Sequence, residues 1–365
     1  MKILDWYILK KLLVTFFFCI FLFTVIAVVI DISEKTEDFV RSGLSLKEII
    51  SLYYLPFVPY IDALLFPLFV FIAVIFFTSK MAGRSEIVAI LASGTSFGRF
   101  LVPYWIGGTS LGLLLFFGAH LVIPHANDLR SSFETKYVNG NSSYNALVAQ
   151  GHDQYLRIDS FTYAGIRNYD TTSKRGGPFF MHRIKGNQLT YNLRAETIFW
   201  DTSGRKQRWV LQTVNERTIN GLKETALASP KKEMTFNFKP FDLSHDQYAK
   251  DKLNSPDLAK FIQLEQLRGS EDVNSLKVEI YRRTATPIAV LILTIIGAVI
   301  ASRKVRGGSG AHLALGFLLA TLFILMDRFS TIFSAKGSLP PIIAAWIPDG
   351  VFVIVAWLLY RKAPK

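Results

Sequence analysis

A charged side chain placed in hydrocarbon costs several kcal/mol, so each one found in an apolar run needs a reason. Asp327, Arg328 and Asp349 are three such residues in this 365-residue chain. The guanidinium of Arg328 can grip a phosphate through paired hydrogen bonds. It can equally snorkel to an interface, or pair with Asp349 or Asp62. Asp349 follows Pro348, which removes a backbone donor and kinks a helix. Its carboxyl group then either walls a polar lipid cavity or gate, or bonds to backbone freed by the kink.

A second group lies between Gly83 and Gly98, which reads G-R-S-E-I-V-A-I-L-A-S-G-T-S-F-G. Ser85 is placed to cap a short helix, Glu86 suits its N-terminal dipole, and Gly94 can end it. Ile87, Val88, Ile90 and Leu91 are more apolar positions than one internal face requires. Such a helix either docks a partner or lies on lipid.

Other chemistry is sparse. His120, His125 and Asp128 form the one local cluster suited to acid–base work, and a solvated or capping histidine is its plainer reading. The chain has one cysteine, Cys19, so no internal disulfide and no cysteine-based metal site are expected. No Gly-Lys dipeptide occurs, which excludes a GxxxxGK[ST] phosphate loop. A nucleophile elbow is not expected either. No cofactor is expected. Any work against a gradient must draw its energy from a partner or an ion.

Half of the residues are hydrophobic and 19% are charged, a balance typical of membrane proteins. About 20 apolar residues cross a bilayer as a helix. Six segments reach that length, at about 12–30, 55–79, 100–123, 284–302, 312–332 and 339–360. The first lacks a cleavage site and is expected to be retained rather than removed as a signal. Twelve Lys and Arg residues flank one side of the spans and four flank the other in short loops. The richer side is cytoplasmic by the positive-inside rule, which places both termini there and 124–283 outside. The same asymmetry accounts for most of the +13 net charge, so no nucleic-acid partner is expected.

Residues 124–283 read as a β domain. Leu189, Tyr191 and Leu193 alternate with polar neighbours, as do Met234, Phe236 and Phe238, and Trp209–Val214 is a further strand. Turn signals separate them at Asn139-Gly140-Asn141, Arg175-Gly176-Gly177-Pro178, Ser203-Gly204 and Asn220-Gly221. A sandwich, jelly roll or partly open barrel is expected. An amphipathic helix capped by Ser255 closes the domain, with Leu258, Phe261, Ile262 and Leu267 on one face up to Gly269. That face rests on the sheet or on the membrane surface.

The expected organisation is therefore helices in 1–123, a β domain in 124–283 and helices in 284–365. Several short stretches resemble one family on this layout. They are Leu4-Asp5-Trp6-Tyr7-Ile8-Leu9, Arg84-Ser85-Glu86-Ile87 with Leu91-Ala92-Ser93-Gly94, Ile198-Phe199-Trp200-Asp201, Glu279-Ile280-Tyr281-Arg282-Arg283, and Leu339-Pro340-Pro341 with Trp346 and Pro348. In this order they resemble the LptF/LptG (YjgP/YjgQ) permeases of the lipopolysaccharide export ABC transporter. The resemblance implies an inner-membrane protein with six helices, 3+3, and an inserted periplasmic jelly-roll domain. It implies a second homologous permease as heterodimer partner, periplasmic jelly-roll bridge proteins, and a cytoplasmic ABC ATPase dimer that binds the ATP. It makes 85–96 the coupling helix, with Arg84, Ser85, Glu86, Ile87, Ile90, Leu91, Ser93 and Gly94 as contacts. It makes the first and fifth helices lateral gates for lipid, near Arg328, Asp327, Asp349 and Lys35. Lys35 stands among acidic neighbours, Asp31, Glu34, Glu37 and Asp38. Two other functional classes fit the layout: a membrane-anchored envelope enzyme, and a scaffold with a lipid-binding β domain.

Overall fold

The computed structural model describes residues 2–138, 152–170, 173–186, 188–201, 208–221, 223–236, 238–243, 249–270, 272–303 and 309–363. The turns expected at Asn139-Gly140-Asn141 and Ser203-Gly204, the Gly307-Gly308 pair, and the basic residues Lys304, Arg306 and Lys365 lie outside these.

The main helices described are α1 (Ile3–Ser42), α2 (Leu46–Gly83), α3 (Glu86–Ala92), α4 (Phe97–Val138), α5 (Ser255–Arg268), α6 (Val273–Ala301), α7 (Gly310–Ala335) and α8 (Pro341–Arg361), besides single turns at Pro240–Leu243 and Ala249–Lys252. Six of them, all but α3 and α5, are long and apolar enough to cross a membrane. Several outrun the apolar segments that mark them. The helix containing 100–123 does not stop at Ile123 but continues to Val138, and the one containing 284–302 begins at Val273. The chain accordingly divides into a helical unit (Met1–Phe133, Lys250–Ala259, Asn274–Lys365) and a sheet unit (Glu134–Ala249, Lys260–Val273). The division expected at 124 and 283 falls inside helices, because polar residues there extend the helix rather than end it.

Within the helical unit α6 is the axis. Of its most apolar window 72% is buried, against 6% for α1. Val290 and Ala298 of α6 pack in one cluster with Leu12, Val70, Val74 and Tyr104. Leu293 and Ile296 pack on its other side with Phe71, Ile75, Phe323 and Phe352. Between apolar helices in lipid, close backbone approach supplies much of the attraction. Gly112 shows this: a Cβ there would meet the Pro287 carbonyl oxygen of α6 at 2.7 Å. α1 instead presents Phe18, Phe21, Ile26 and Val29 outward.

Among the described residues the sheet unit holds seven antiparallel strands: β1 (His152–Asp159), β2 (Thr162–Tyr169), β3 (Arg175–Gly176), β4 (Phe179–Lys185), β5 (Gln188–Asp201), β6 (Arg208–Asn220) and β7 (Lys223–Met234). Their order is β1-β2-β4-β5-β6-β7, with β3 paired to β5. The β6–β7 hairpin turns at Gly221, whose φ of +63° is readily adopted by glycine. Leu193, Ile198, Trp209, Leu211 and Val214 form the core of one face. The expected strand through Met234, Phe236 and Phe238 ends at Met234. Phe236 and Phe238 leave the ladder and stack at 5.0 Å within the core. There the Phe238 carbonyl accepts the Trp209 Nε1–H at 2.9 Å. The cap of α5 is Asn254, whose Oδ1 accepts from the Asp257 amide at 2.9 Å, and not Ser255.

Candidate functional site

Two of the polar clusters in the helical unit hold most of the expected site residues, one near the chain termini and one toward the opposite ends of the helices.

Near the termini stands the short helix α3. It covers 86–92 and not the expected 85–96. Ser85 takes a left-handed conformation with φ of 62° and makes no side-chain cap. Gly94, with φ of +85°, turns the chain away, and Ser96 accepts the Arg99 amide at 3.3 Å to cap α4. Ser93 Oγ donates to the Ile90 carbonyl at 2.7 Å. The apolar residues divide differently from expectation. Ile87 is buried in the helical core, with Ile90 and Leu91 packed against it. Val88, 56% exposed, is the apolar side chain that faces out, between exposed Arg84, Ala89 and Ala92.

This corner is tied to α1 by two polar links that join residues far apart in the chain. Tyr7 OH donates to Glu86 Oε2 at 3.2 Å, and Lys11 bonds the same hydroxyl. Asp5 takes both Arg99 nitrogens, Nη1 at 2.7 Å and Nη2 at 2.6 Å, and its Oδ2 also accepts the Lys2 amide at 2.7 Å. A paired guanidinium–carboxylate contact fixes both distance and angle. Arg84 lies 3.9 Å from Glu86.

The second place is a cavity of about 420 Å³ among α2, α4, α6, α7 and α8. Four acidic residues line it, Asp251, Glu279, Asp327 and Asp349, and four basic ones, Lys250, Arg282, Arg283 and Arg328. Most are held. Arg282 sits 3.9 Å from Asp327 and 4.0 Å from Glu279, and Arg283 lies 3.6 Å from Glu279. Arg283 also donates to Ser255 Oγ at 3.2 Å and to the Lys250 carbonyl at 2.9 Å. Asp349 and Arg328 differ. Asp349 is only 4% exposed, yet its Oδ2 has no hydrogen-bond partner among the described residues. The backbone around Pro348 therefore does not satisfy that oxygen. Arg328 is exposed, and no described acid lies within ion-pair distance of it. Neither of the pairings open to it, with Asp349 or Asp62, is made. Asp62 instead accepts from Thr24 Oγ1 at 2.5 Å.

Lys35 stands apart from this cavity. It is 3.0 Å from Asp31 and bonds the Tyr53 hydroxyl, while Tyr53 and Tyr54 donate to Asp31 at 3.0 and 3.1 Å. Its charge is thus neutralised within the chain.

The sequence holds two Gly-x-Ser-x-Gly strings, Gly94–Gly98 and Gly108–Gly112, and neither is an elbow. Ser96 caps α4, and Ser110 lies inside α4 with its hydroxyl on the Gly107 carbonyl at 2.8 Å. His120 Nδ1 is 2.9 Å from the Phe116 carbonyl. Among the described residues no group of three or more His, Cys, Asp or Glu is placed to hold a metal.

The sequence signature of the lipopolysaccharide export system permeases LptF/LptG matches residues 6–362. The chain belongs to the LptF/LptG family. It is 21% identical to the lipopolysaccharide export system permease protein LptG of Escherichia coli K12 over 369 residues, which cover 99% of each chain. LptG of Haemophilus influenzae is likewise 21% identical, over 81% of each. Members of this family are multi-pass membrane permeases rather than enzymes, and the six long apolar helices with an inserted β sheet accord with that. In this LptF/LptG permease the sequence pattern marked α3 and the three intramembrane charges. The resemblance had marked the stretches that hold Asp5, Tyr7, Glu86, Glu279, Arg282 and Arg283, but the sequence did not show the Asp5–Arg99 and Tyr7–Glu86 links, which join residues 94 and 79 positions apart, or the cavity that Glu279, Arg282 and Arg283 line. A charge standing beside each apolar block was the available signal.

Proposed function

We propose that the chain is one permease subunit of an ATP-driven exporter that extracts lipopolysaccharide from the inner membrane and passes it to periplasmic jelly-roll bridge proteins. Both termini and α3 face the cytoplasm, and the sheet unit is periplasmic. A second homologous permease completes the lipid cavity. A separate ABC ATPase dimer binds the nucleotide and docks on α3, with exposed Arg84 and Val88 and half-buried Glu86 as the contacts and Ile87, Ile90 and Leu91 as the packing beneath. Arg328, Asp327 and Asp349 form a polar wall toward the lipid.

The observation that carries this reading is the double tie from the α3–α4 corner to α1. A push on α3 reaches α1 directly through Glu86–Tyr7 and, one turn into α4, through Arg99–Asp5. α1 is the helix with the least protein around its apolar window, so it is the one freest to shift against lipid or a partner helix. Closing of the nucleotide-bound ATPase dimer would thereby squeeze the lipid cavity.

The test is affinity purification of the full-length chain from membranes in mild detergent. Wild type should bring down an ATPase, and Glu86→Lys and Val88→Asp should each lose it while eluting normally otherwise. Undiminished ATPase recovery with both variants would reject α3 as the dock.

A further inference from the structure

On α7 and α8, two side chains that line the cavity have no partner among the described residues at their charged ends: the buried Asp349, at Oδ2, and the exposed Arg328. Burying a carboxyl without a partner is costly, so the cavity suits a ligand that offers a donor to buried Asp349 and an anionic group to exposed Arg328. Their depths agree. Arg328 is seven residues from the Ala335 end of α7, about 10 Å along the axis, and Asp349 is eight residues from the Pro341 end of α8, about 12 Å. These are the same ends of the bundle, since α7 and α8 are consecutive antiparallel spans. The two groups thus sit at a similar depth on different helices, and both line the cavity.

The cavity's eight charges balance, four of each sign, so it favours a ligand with no net charge over a simple anion or cation. A bare phosphate would leave Asp349 unmatched, and a metal ion or ammonium would leave Arg328 unmatched. Leu64 of α2 and Ile324 of α7 line the cavity and are also exposed, so it opens between these helices onto an apolar face. Leu318, Leu322 and Leu325 continue that exposed apolar surface along α7.

From this we infer that the cavity holds the headgroup of a zwitterionic glycerophospholipid bearing a primary ammonium, a phosphatidylethanolamine. Its phosphate lies on Arg328, its ammonium donates to Asp349, and its acyl chains leave between α2 and α7. The inference rests on the lipid-facing reading of this wall and names a ligand other than the exported one. The bound lipid completes the wall in the resting state and must yield when the cavity changes shape.

The test uses the full-length chain with its co-purifying partners, exchanged into nanodiscs of phosphatidylethanolamine and phosphatidylglycerol, and read by native mass spectrometry under stepwise removal of lipid. Wild type should keep one phosphatidylethanolamine after the annular lipids have gone, and should keep none in discs of phosphatidylglycerol alone. Asp349→Asn and Arg328→Gln each remove one charged contact and should lower retention about tenfold. Equal retention of phosphatidylglycerol, no retained lipid on wild type, or unchanged retention in both variants would overturn the proposal. The comparison of lipids on wild type needs no variant, so a misfolded mutant does not spoil it. The discs contain neither lipopolysaccharide nor added ATPase. A failure here therefore leaves the docking result standing, and a failure of docking leaves this result standing.

Discussion

The helical unit treats its charges differently at the α3 corner and in the cavity. Near the termini they are matched inside the chain: Asp5 holds Arg99 through both oxygens, and Glu86 is held by Tyr7. In the cavity among α2, α4, α6, α7 and α8, buried Asp349 Oδ2 and exposed Arg328 have no partner among the described residues. A matched set resists displacement and transmits force, whereas an unmatched set waits for a ligand. The contrast separates a lever from a receptacle, and it can be attacked from either side.

The largest effect is expected from Arg99→Ala. It strands the Asp5 carboxylate, which is 4% exposed, and cuts the tie from α4 to α1. Thermal unfolding of the detergent-solubilised protein should occur several degrees lower. The double exchange Asp5→Arg with Arg99→Asp should recover part of that loss, as double-mutant coupling between contacting residues requires. Next in size, and opposite in sign, is Asp349→Leu. Replacing an unmatched buried carboxylate by an apolar side chain removes a desolvation penalty. In lipid-free detergent it should raise the unfolding temperature while abolishing phosphatidylethanolamine retention. Equal destabilisation by Arg99→Ala and Asp349→Leu would erase the distinction between the two places.

Tyr7→Phe should be milder. It deletes the hydroxyl's bonds to Glu86 and from Lys11, a loss of about 1 kcal/mol each. Fold and ATPase binding should persist, while the ATP-driven rate of lipid release per ATP hydrolysed falls. The smallest effect concerns a control outside both places, Glu216 in the sheet unit. Burial raises its carboxyl, but hydrogen bonds from Lys232 at 2.6 Å and Tyr191 at 2.7 Å outweigh that and hold it below the usual carboxylate range. The folded form therefore binds its proton less readily than the unfolded chain. Its contribution is present above the ordinary value and fades as pH falls through the lower folded one. Hydrogen exchange of amides in β5 and β6 should quicken over that acidic window, and Glu216→Gln should flatten the response.

The long helices were legible because apolar length is a property of consecutive residues, and Gly94 and Gly221 were legible because a left-handed turn favours glycine locally. Arg328 and Asp349 were legible as charges out of place. What they face was not, because Asp349 is enclosed by helices drawn from both ends of the chain. Asp5 and Arg99 are 94 positions apart, and no local pattern pairs them. The apolar residues of α3 showed that the helix had more than one apolar side, yet only packing separates buried Ile87 from exposed Val88. Phe236 and Phe238 alternate as a strand would, and tertiary stacking overrides that pattern. Asn254 displaced Ser255 as the cap because the helix began where the Asn254 side chain could reach the Asp257 amide.

The most direct test of the account is a photo-crosslinker placed at Val88 in the full-length protein in native membranes. The account predicts an adduct with a nucleotide-binding protein whose yield changes when ATP is trapped, and no comparable adduct from a crosslinker at Val29 on α1. Adducts with lipid alone at Val88, unaltered by nucleotide, would mean that α3 rests on the bilayer and that the driving force enters elsewhere.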